Sequence, residues 1–317
     1  MTIALENWRW HGAIGPAEAA GFVLSEANCI KRNPVRRVYL TGDCYVKIEF
    51  PAGRLRRLGA CWRPKAAAEY GAARRLAAAG MPVVEYLGWG QRGGLNAVVS
   101  RRWPDGEDVH FYFYRELVYG AEKAPEFYAA LLDFLNRYRH CGVNHPDFHL
   151  GNVLYRPDDR QFTLVDVYRV GLGGREGVRR RQLGHFLLEL RAAQPLEQLL
   201  DWGAQLGLSA SLLRQELADA RAALRRELPR RLRQLLEGYP KFSAWSSDGE
   251  RRVLLIKDML RRLPVPAQLA GPEKTAPERT EKLLADELFA RLDGRSETGM
   301  IAAWEPPDLV YRRQRPL

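Results

Sequence analysis

The chain is poor in the features that mark several large classes of protein. Its 317 residues include four cysteines, Cys29, Cys44, Cys61 and Cys141, with no C-x-x-C pair and no histidine at metal-ligand spacing. That argues against both a disulfide framework and a zinc site, and the four read as reduced packing residues. Long apolar runs are missing too. The most hydrophobic stretches, VVEYLGW and VLLI, are strand-sized, well short of the roughly eighteen uncharged apolar residues of a membrane helix. The N-terminus, MTIALENWRWHGAIGP, has no basic n-region and no continuous apolar h-region, and it carries Glu6 early; no secretory signal is expected, and a cytoplasmic location is. There is no repeat with a period of about 20–50 residues, which argues against a solenoid. Acidic residues are outnumbered, 38 against 49 basic, for a formal net charge of +11. This balance favours anionic partners such as phosphates or an acidic leaflet. Since 41 of the 49 are arginine, coding bias is a plain alternative to a binding role. No recognition-helix, RNP or finger pattern is present, so nucleic acid is not an expected partner.

With 46% hydrophobic residues the chain can bury a core large enough for two lobes. Residues 34–50, PVRRVYLTGDCYVKIEF, read as two strands about a T-G-D turn at 41–43. Residues 64–79 read as an alanine-rich helix opened by Pro64 and stopped at Gly80, with Pro82 beyond. Segments 82–90 and 95–103 read as a second strand pair around QRGG. After a polar linker, WPDGEDV, the pattern turns helical. Phe127, Leu131, Phe134, Leu135 and Tyr138 share one face of a helix over 125–141. Further helices are expected at 182–193, 196–207 and 211–237, the last broken near Pro229, with a looser tail from about 264 that carries one more helix at 280–292. The expected division is an N-terminal sheet and helix over 1–103, a helical region over 104–265, and an extension over 266–317.

One interval concentrates chemistry. HPDFHLGNVL (145–154) places Asp147 and Asn152 five residues apart, and FTLVDVYRV offers Asp166 at the end of a short apolar run. Transfer of a γ-phosphoryl group needs a cation on the phosphates, Mg²⁺ held by carboxylate and amide oxygens, and a carboxylate facing the incoming hydroxyl. The spacing H-x-D-x-x-x-x-N supplies the last two: Asp147 faces the acceptor and Asn152 reaches a metal. Two strands, VLY and FTLV, folded as a hairpin would bring Asp166 to the same metal. Lys47, mid-strand in YVKIEF and followed by a helix whose one acid is Glu69, has the arrangement in which a carboxylate orients an ammonium on nucleotide phosphates. Taken singly, each residue has a structural alternative: a turn for HPD, a cap for Asn152, a strand-end acid for Asp166, solvated surface for Lys47 and Glu69.

The order of these elements resembles the protein-kinase-like superfamily, and more narrowly the lipopolysaccharide core kinases, the heptose and Kdo kinases of Gram-negative bacteria. The helix followed by GMPV and LGWG, and the Asp166-x-x-Arg169 form of the metal motif, carry most of that resemblance, which covers about residues 34–190. It implies an α+β, bilobal protein-kinase-like fold: a small antiparallel-sheet N-lobe with one helix and a larger, mainly helical C-lobe. It also implies a phosphotransferase that uses ATP and Mg²⁺ and acts on a sugar hydroxyl of a lipid-linked acceptor, peripheral on the cytoplasmic face of the inner membrane. By the same resemblance Leu154 is the apolar floor under the adenine, with core packing as the alternative, and His145 and His149 brace the catalytic loop.

The departures leave two competitors open. No G-x-G-x-x-G precedes Val46, the T-G-D turn being the one candidate for a phosphate loop, and the metal motif is D-V-Y rather than D-F-G; both features fit a pseudokinase or nucleotide-binding scaffold. HPDFHLGN is also similar to the catalytic loop of aminoglycoside-type small-molecule phosphotransferases. Arg175, Arg179, Arg180, Arg181 and the cluster from Arg214 to Arg233 are candidate acceptor-side cations, although Glu216, Asp219 and Glu227 make a salt-bridged face the plainer reading of the second group.

Overall fold

Strand periodicity decides which side chains of the N-terminal sheet enter the core and which face the candidate site. The computed structural model describes residues 4–118, 125–191, 193–236, 243–247, 250–254 and 312–314. In chain order these form β1 (Arg9–Gly12), α1 (Pro16–Ala20), β2 (Cys29–Asn33), β3 (Arg36–Thr41), β4 (Cys44–Glu49), α2 (Arg54–Trp62), α3 (Lys65–Ala78), β5 (Tyr86–Arg92), β6 (Leu95–Arg101) and β7 (Glu107–Asp108). There follow α4 (Val109–Tyr112), α5 (Pro125–His140), β8 (Val143–Asn144), β9 (Val153–Arg156), β10 (Gln161–Leu164), β11 (Gly171–Leu172), α6 (Glu176–Leu190), α7 (Leu196–Gln205), α8 (Ala210–Leu236), β12 (Ser243–Ser247), β13 (Glu250–Leu254) and β14 (Arg312–Gln314). The class is α+β. The expected helix at 280–292 lies outside the described residues.

The chain divides into two compact units. The first comprises Met1–Asp108, Glu126–Phe148 and Asn152–Gln182. Its main sheet is antiparallel, in the order β1-β5-β6-β4-β3-β2. Both strand pairs read from the sequence are present, and β4 joins them through β6. In β4 the side chains alternate. Cys44, Val46 and Ile48 point into a core with Leu5, Trp8, Ile14, Ala19 and Leu24 from the N-terminal segment, so Lys47 must point the other way. The three-stranded sheet β10-β9-β7 shows that WPDGEDV is more than a linker: Glu107 and Asp108 pair with Tyr155 and Leu154. Helix α5 buries Phe127, Leu131, Phe134, Leu135 and Tyr138, the face read from its spacing.

The second unit comprises Val109–Pro125, His149–Gly151 and Leu183–Leu317. Within it α7 and α8 pack closely where Gly203 leaves room for Leu213, and Gly184 of α6 does the same for Glu216. Helix α8 runs through Pro229 instead of breaking there. Proline removes one backbone donor, and the helix-favouring residues on both sides carry the helix across the gap. Strands β12, β13 and β14 form an antiparallel sheet. No helix among the described residues is long and apolar enough to cross a membrane.

Candidate phosphoryl-transfer site

All six residues that the sequence singled out for the site lie in the first unit. Lys47, on the face of β4 opposite the N-terminal core, meets helix α3. That helix buries Ala66, Glu69, Ala72, Ala73 and Leu76, and its small alanines let the backbone approach the sheet closely. Its ends are fixed. Asn96 Oδ1 on β6 accepts the Ala66 N–H at 3.0 Å. At the other end the N–H groups of Gly80 and Met81 return to the carbonyls of Ala77 and Leu76, a Schellman closure that Gly80 permits at φ +80°. Glu69, the one acid of α3, is 3% exposed. It is therefore not a surface residue.

Asp166 follows the hairpin of β9 and β10, whose register pairs Val153 with Leu164. Two tethers hold it. Val165 N–H donates to Asn152 O at 3.0 Å, and Leu164 exchanges backbone bonds with Pro82 and Val84, the segment just after α3. Asp166 takes a left-handed conformation, φ +52°, one that aspartate tolerates better than most residues and that recurs at functional sites.

These elements converge on one ammonium. Lys47 Nζ donates to Glu69 Oε1 at 2.6 Å and to Asp166 Oδ1 at 2.5 Å. Burial works against the charge on Lys47, but the two carboxylates outweigh it and hold the pKa above the ordinary lysine value. Burial also dominates at Glu69 and pushes its carboxyl up, with Lys47 only partly offsetting it. At Asp166 burial pulls upward, yet Lys47, with Lys31 and Arg36 behind it, brings the carboxyl below its usual range. Asp166 keeps 41% of its side chain open to solvent, against 5% for Glu69. The two acids thus differ in kind: one is a buried orienter, the other an accessible anion.

The other positions are held by local contacts. Asp147 is exposed, and its N–H donates to His145 Nδ1 at 3.2 Å. His145 is itself held through its backbone N–H by Gln182 Oε1 at 3.1 Å, a bracing role in line with the sequence reading. Asn152 is buried, and its Nδ2 donates to Asp147 O at 2.7 Å; that bond fixes the amide and leaves Oδ1 as its metal-capable end. Leu154 is half-buried, opposite Asp108 and Thr163. In the second unit, His149 Nδ1 accepts the Gly151 N–H at 3.1 Å. Of the arginines read as acceptor-side cations, Arg175 and Arg181 are exposed and Arg179 and Arg180 half-buried. No group of three or more His, Cys, Asp or Glu poised for a metal exists among the described residues.

Three participants were not read from the sequence. Tyr86 on β5 donates to Glu69 Oε1 at 2.9 Å, and the Val167 backbone lies close enough to act on its phenol. Burial and the neighbouring carboxylates raise its phenol well above the ordinary value, and it stays a donor. No spacing rule connects positions 69, 86 and 167. Lys31 and Arg36, on the β2–β3 hairpin, lie close enough to Asp166 to lower its pKa. The T-G-D turn is otherwise engaged: Asp43 pairs with Arg101 at 2.6 Å and takes the Arg102 N–H on its carbonyl.

No protein-family model matches the chain, and comparison with curated proteins finds no match. Among solved structures, WaaP in complex with acyl carrier protein aligns with a TM-score of 0.41 at 21% identity, over 61% of this chain and 87% of that one.

Replacing Lys47 with Met leaves two facing carboxylates. The substitution is expected to cost about 3 kcal/mol at pH 8 in urea denaturation. Glu69 already sits above its ordinary value, so without Lys47 it folds protonated at low pH and loses stability as pH rises through the raised value; the deficit should be smaller at pH 5. A deficit independent of pH would contradict the shared ammonium. Tyr86→Phe leaves a buried Glu69 oxygen short of one donor, for an expected loss of about 1–2 kcal/mol by the same measurement.

Proposed function

We propose that the chain is an ATP-dependent phosphotransferase whose acceptor is a sugar hydroxyl, a heptose or Kdo hydroxyl of the lipopolysaccharide inner core, and that it works as a peripheral protein on the cytoplasmic face of the inner membrane. The observation that carries the reading is Lys47 Nζ held between Glu69 and Asp166 at 2.6 and 2.5 Å. Glu69 orients a buried ammonium of the kind that pairs with nucleotide phosphates. Asp166 and Asn152 Oδ1 are hard oxygen donors, one accessible and one fixed in place, and this donor set fits Mg²⁺ completed by water and phosphate oxygens. Bound there, Mg²⁺ would neutralise charge on the transferring phosphoryl group. Lys31 and Arg36 add positive charge on the same side and stand where a glycine-rich loop is missing. Leu154, half-open beside Asp108, offers an apolar surface to the adenine.

Asp147 is the base. Its exposed carboxylate takes the proton of the acceptor hydroxyl as that oxygen forms a bond to the γ-phosphorus. The bond between that phosphorus and the β–γ bridging oxygen breaks, and ADP leaves. His145 and Asn152 hold the Asp147 backbone, so the carboxylate is presented from a fixed loop.

Asp147→Ala is expected to abolish phosphate transfer, by at least about a thousandfold in kcat, while nucleotide affinity stays within about twofold of the parent. Asp166→Ala should instead weaken Mg²⁺-nucleotide binding itself in calorimetry. Equal activity of the Asp147→Ala variant and the parent would refute the mechanism. The acceptor is tested by mass spectrometry of core oligosaccharide from cells with and without the gene: loss of one phosphate is expected, and an unchanged core would overturn the sugar assignment.

A further inference from the structure

Helix α2, RLRRLGACW, inverts the usual rule for a helix on a folded domain. None of its residues is buried. Leu55, Leu58 and Trp62 are 85%, 59% and 86% exposed, and at about 100° per residue they fall within roughly 60° of arc. A helix at a domain surface ordinarily turns such a stripe inward. Here the attachment to the sheet runs through other groups. Cys61 O accepts from Gln91 Nε2 at 3.0 Å, and Arg57 Nε donates to Pro51 O at 3.4 Å. The Arg57 backbone lies against Gly94, where an added Cβ would come within 2.9 Å of its carbonyl oxygen. The inner side of α2 is thus used by backbone and arginine contacts, and the apolar stripe is left facing solvent.

Charge accompanies the stripe. Residues 50–68 contain Arg54, Arg56, Arg57, Arg63 and Lys65 and no acid. Three large apolar side chains on one face of a short helix, one of them tryptophan, with arginines around them and no counter-charge, match the chemistry of the boundary between lipid headgroups and acyl chains. A protein partner would have to supply both an apolar groove and a ring of acids; an anionic bilayer supplies both everywhere on its surface. Cys61, about a quarter turn from the middle of the stripe and exposed, is on this helix too and does not pack in the core.

We propose that α2 is an in-plane membrane anchor: Leu55, Leu58 and Trp62 enter the headgroup–acyl boundary of an anionic bilayer while Arg54, Arg56 and Arg63 pair with lipid phosphates. The anchor extends the membrane-facing part of the proposed function, and its binding requires no phosphoryl transfer, so the two readings fail separately.

The test is co-sedimentation of the full chain with vesicles of phosphatidylcholine alone or with about one-third phosphatidylglycerol. Binding is expected to the anionic vesicles and to fall steeply with added salt. The triple variant Leu55→Ser, Leu58→Ser, Trp62→Ser, changing exposed side chains only, should lose at least about tenfold in partition with an unchanged urea midpoint. Each of Arg54, Arg56 and Arg63 replaced by Gln should lower it about fivefold. Equal partition of the triple variant and the parent would overturn the proposal. So would a parent that stays in the supernatant with anionic vesicles, which would return this face to a protein partner or to none.

Discussion

One ammonium shared by two unequal carboxylates is the constraint on which the first unit depends. Lys47 comes from a central strand, Glu69 from the helix packed on that strand's far face, and Asp166 from a hairpin 119 residues along the chain from Lys47. Three charges of which two are negative leave the cluster one positive charge short, and the deficit falls on Asp166, the more accessible acid. Glu69 is secured twice, by Lys47 and by the Tyr86 hydroxyl. The site is therefore asymmetric before any ligand arrives: its inner end is closed and its outer end still has capacity for a cation.

The scaffold explains how such a cluster is held. Asn96 sets where α3 begins, the closure at Gly80 sets where it ends, and the chain leaving that closure bonds directly to Leu164, two residues before Asp166. The helix that carries one acid and the hairpin that presents the other are thus joined by backbone, with little freedom between them. Asp147 is treated differently. It is exposed, and its backbone is held by His145 and Asn152.

Much of this was legible where the side-chain period is clean. Strands β3 to β6 carry alternating apolar residues, and α3 and α5 carry an apolar face with recognisable ends, so their existence and faces follow from one-dimensional pattern. Glu69 stood out as the one acid in an alanine-rich helix. Strand β2, CIKRN, did not: it is a polar edge strand, and its membership comes from pairing with β3. Helix α2 was missed because its apolar face is turned outward in a nine-residue span. Pro229 misled because a single lost bond was taken to end a helix. Tyr86 had no signal at all, since its role exists only after β5, α3 and the D-V-Y segment have met. The T-G-D turn, read as the candidate phosphate loop, closes the end of the β3–β4 hairpin away from Arg36, and the action of Lys31 and Arg36 on Asp166 is through space, where sequence spacing gives no signal.

The central claim is that Lys47, Asn152 and Asp166 form one nucleotide-and-metal site. A crystal structure of the chain with Mg²⁺ and a non-hydrolysable ATP analogue tests it most directly. The expected result has the metal coordinated by an Asp166 oxygen and Asn152 Oδ1 at about 2.1 Å, with Lys47 Nζ on the phosphates and still bonded to Glu69. A nucleotide bound elsewhere, or bound with Lys47 still closed onto Asp166 and no metal beside Asn152, would contradict the account.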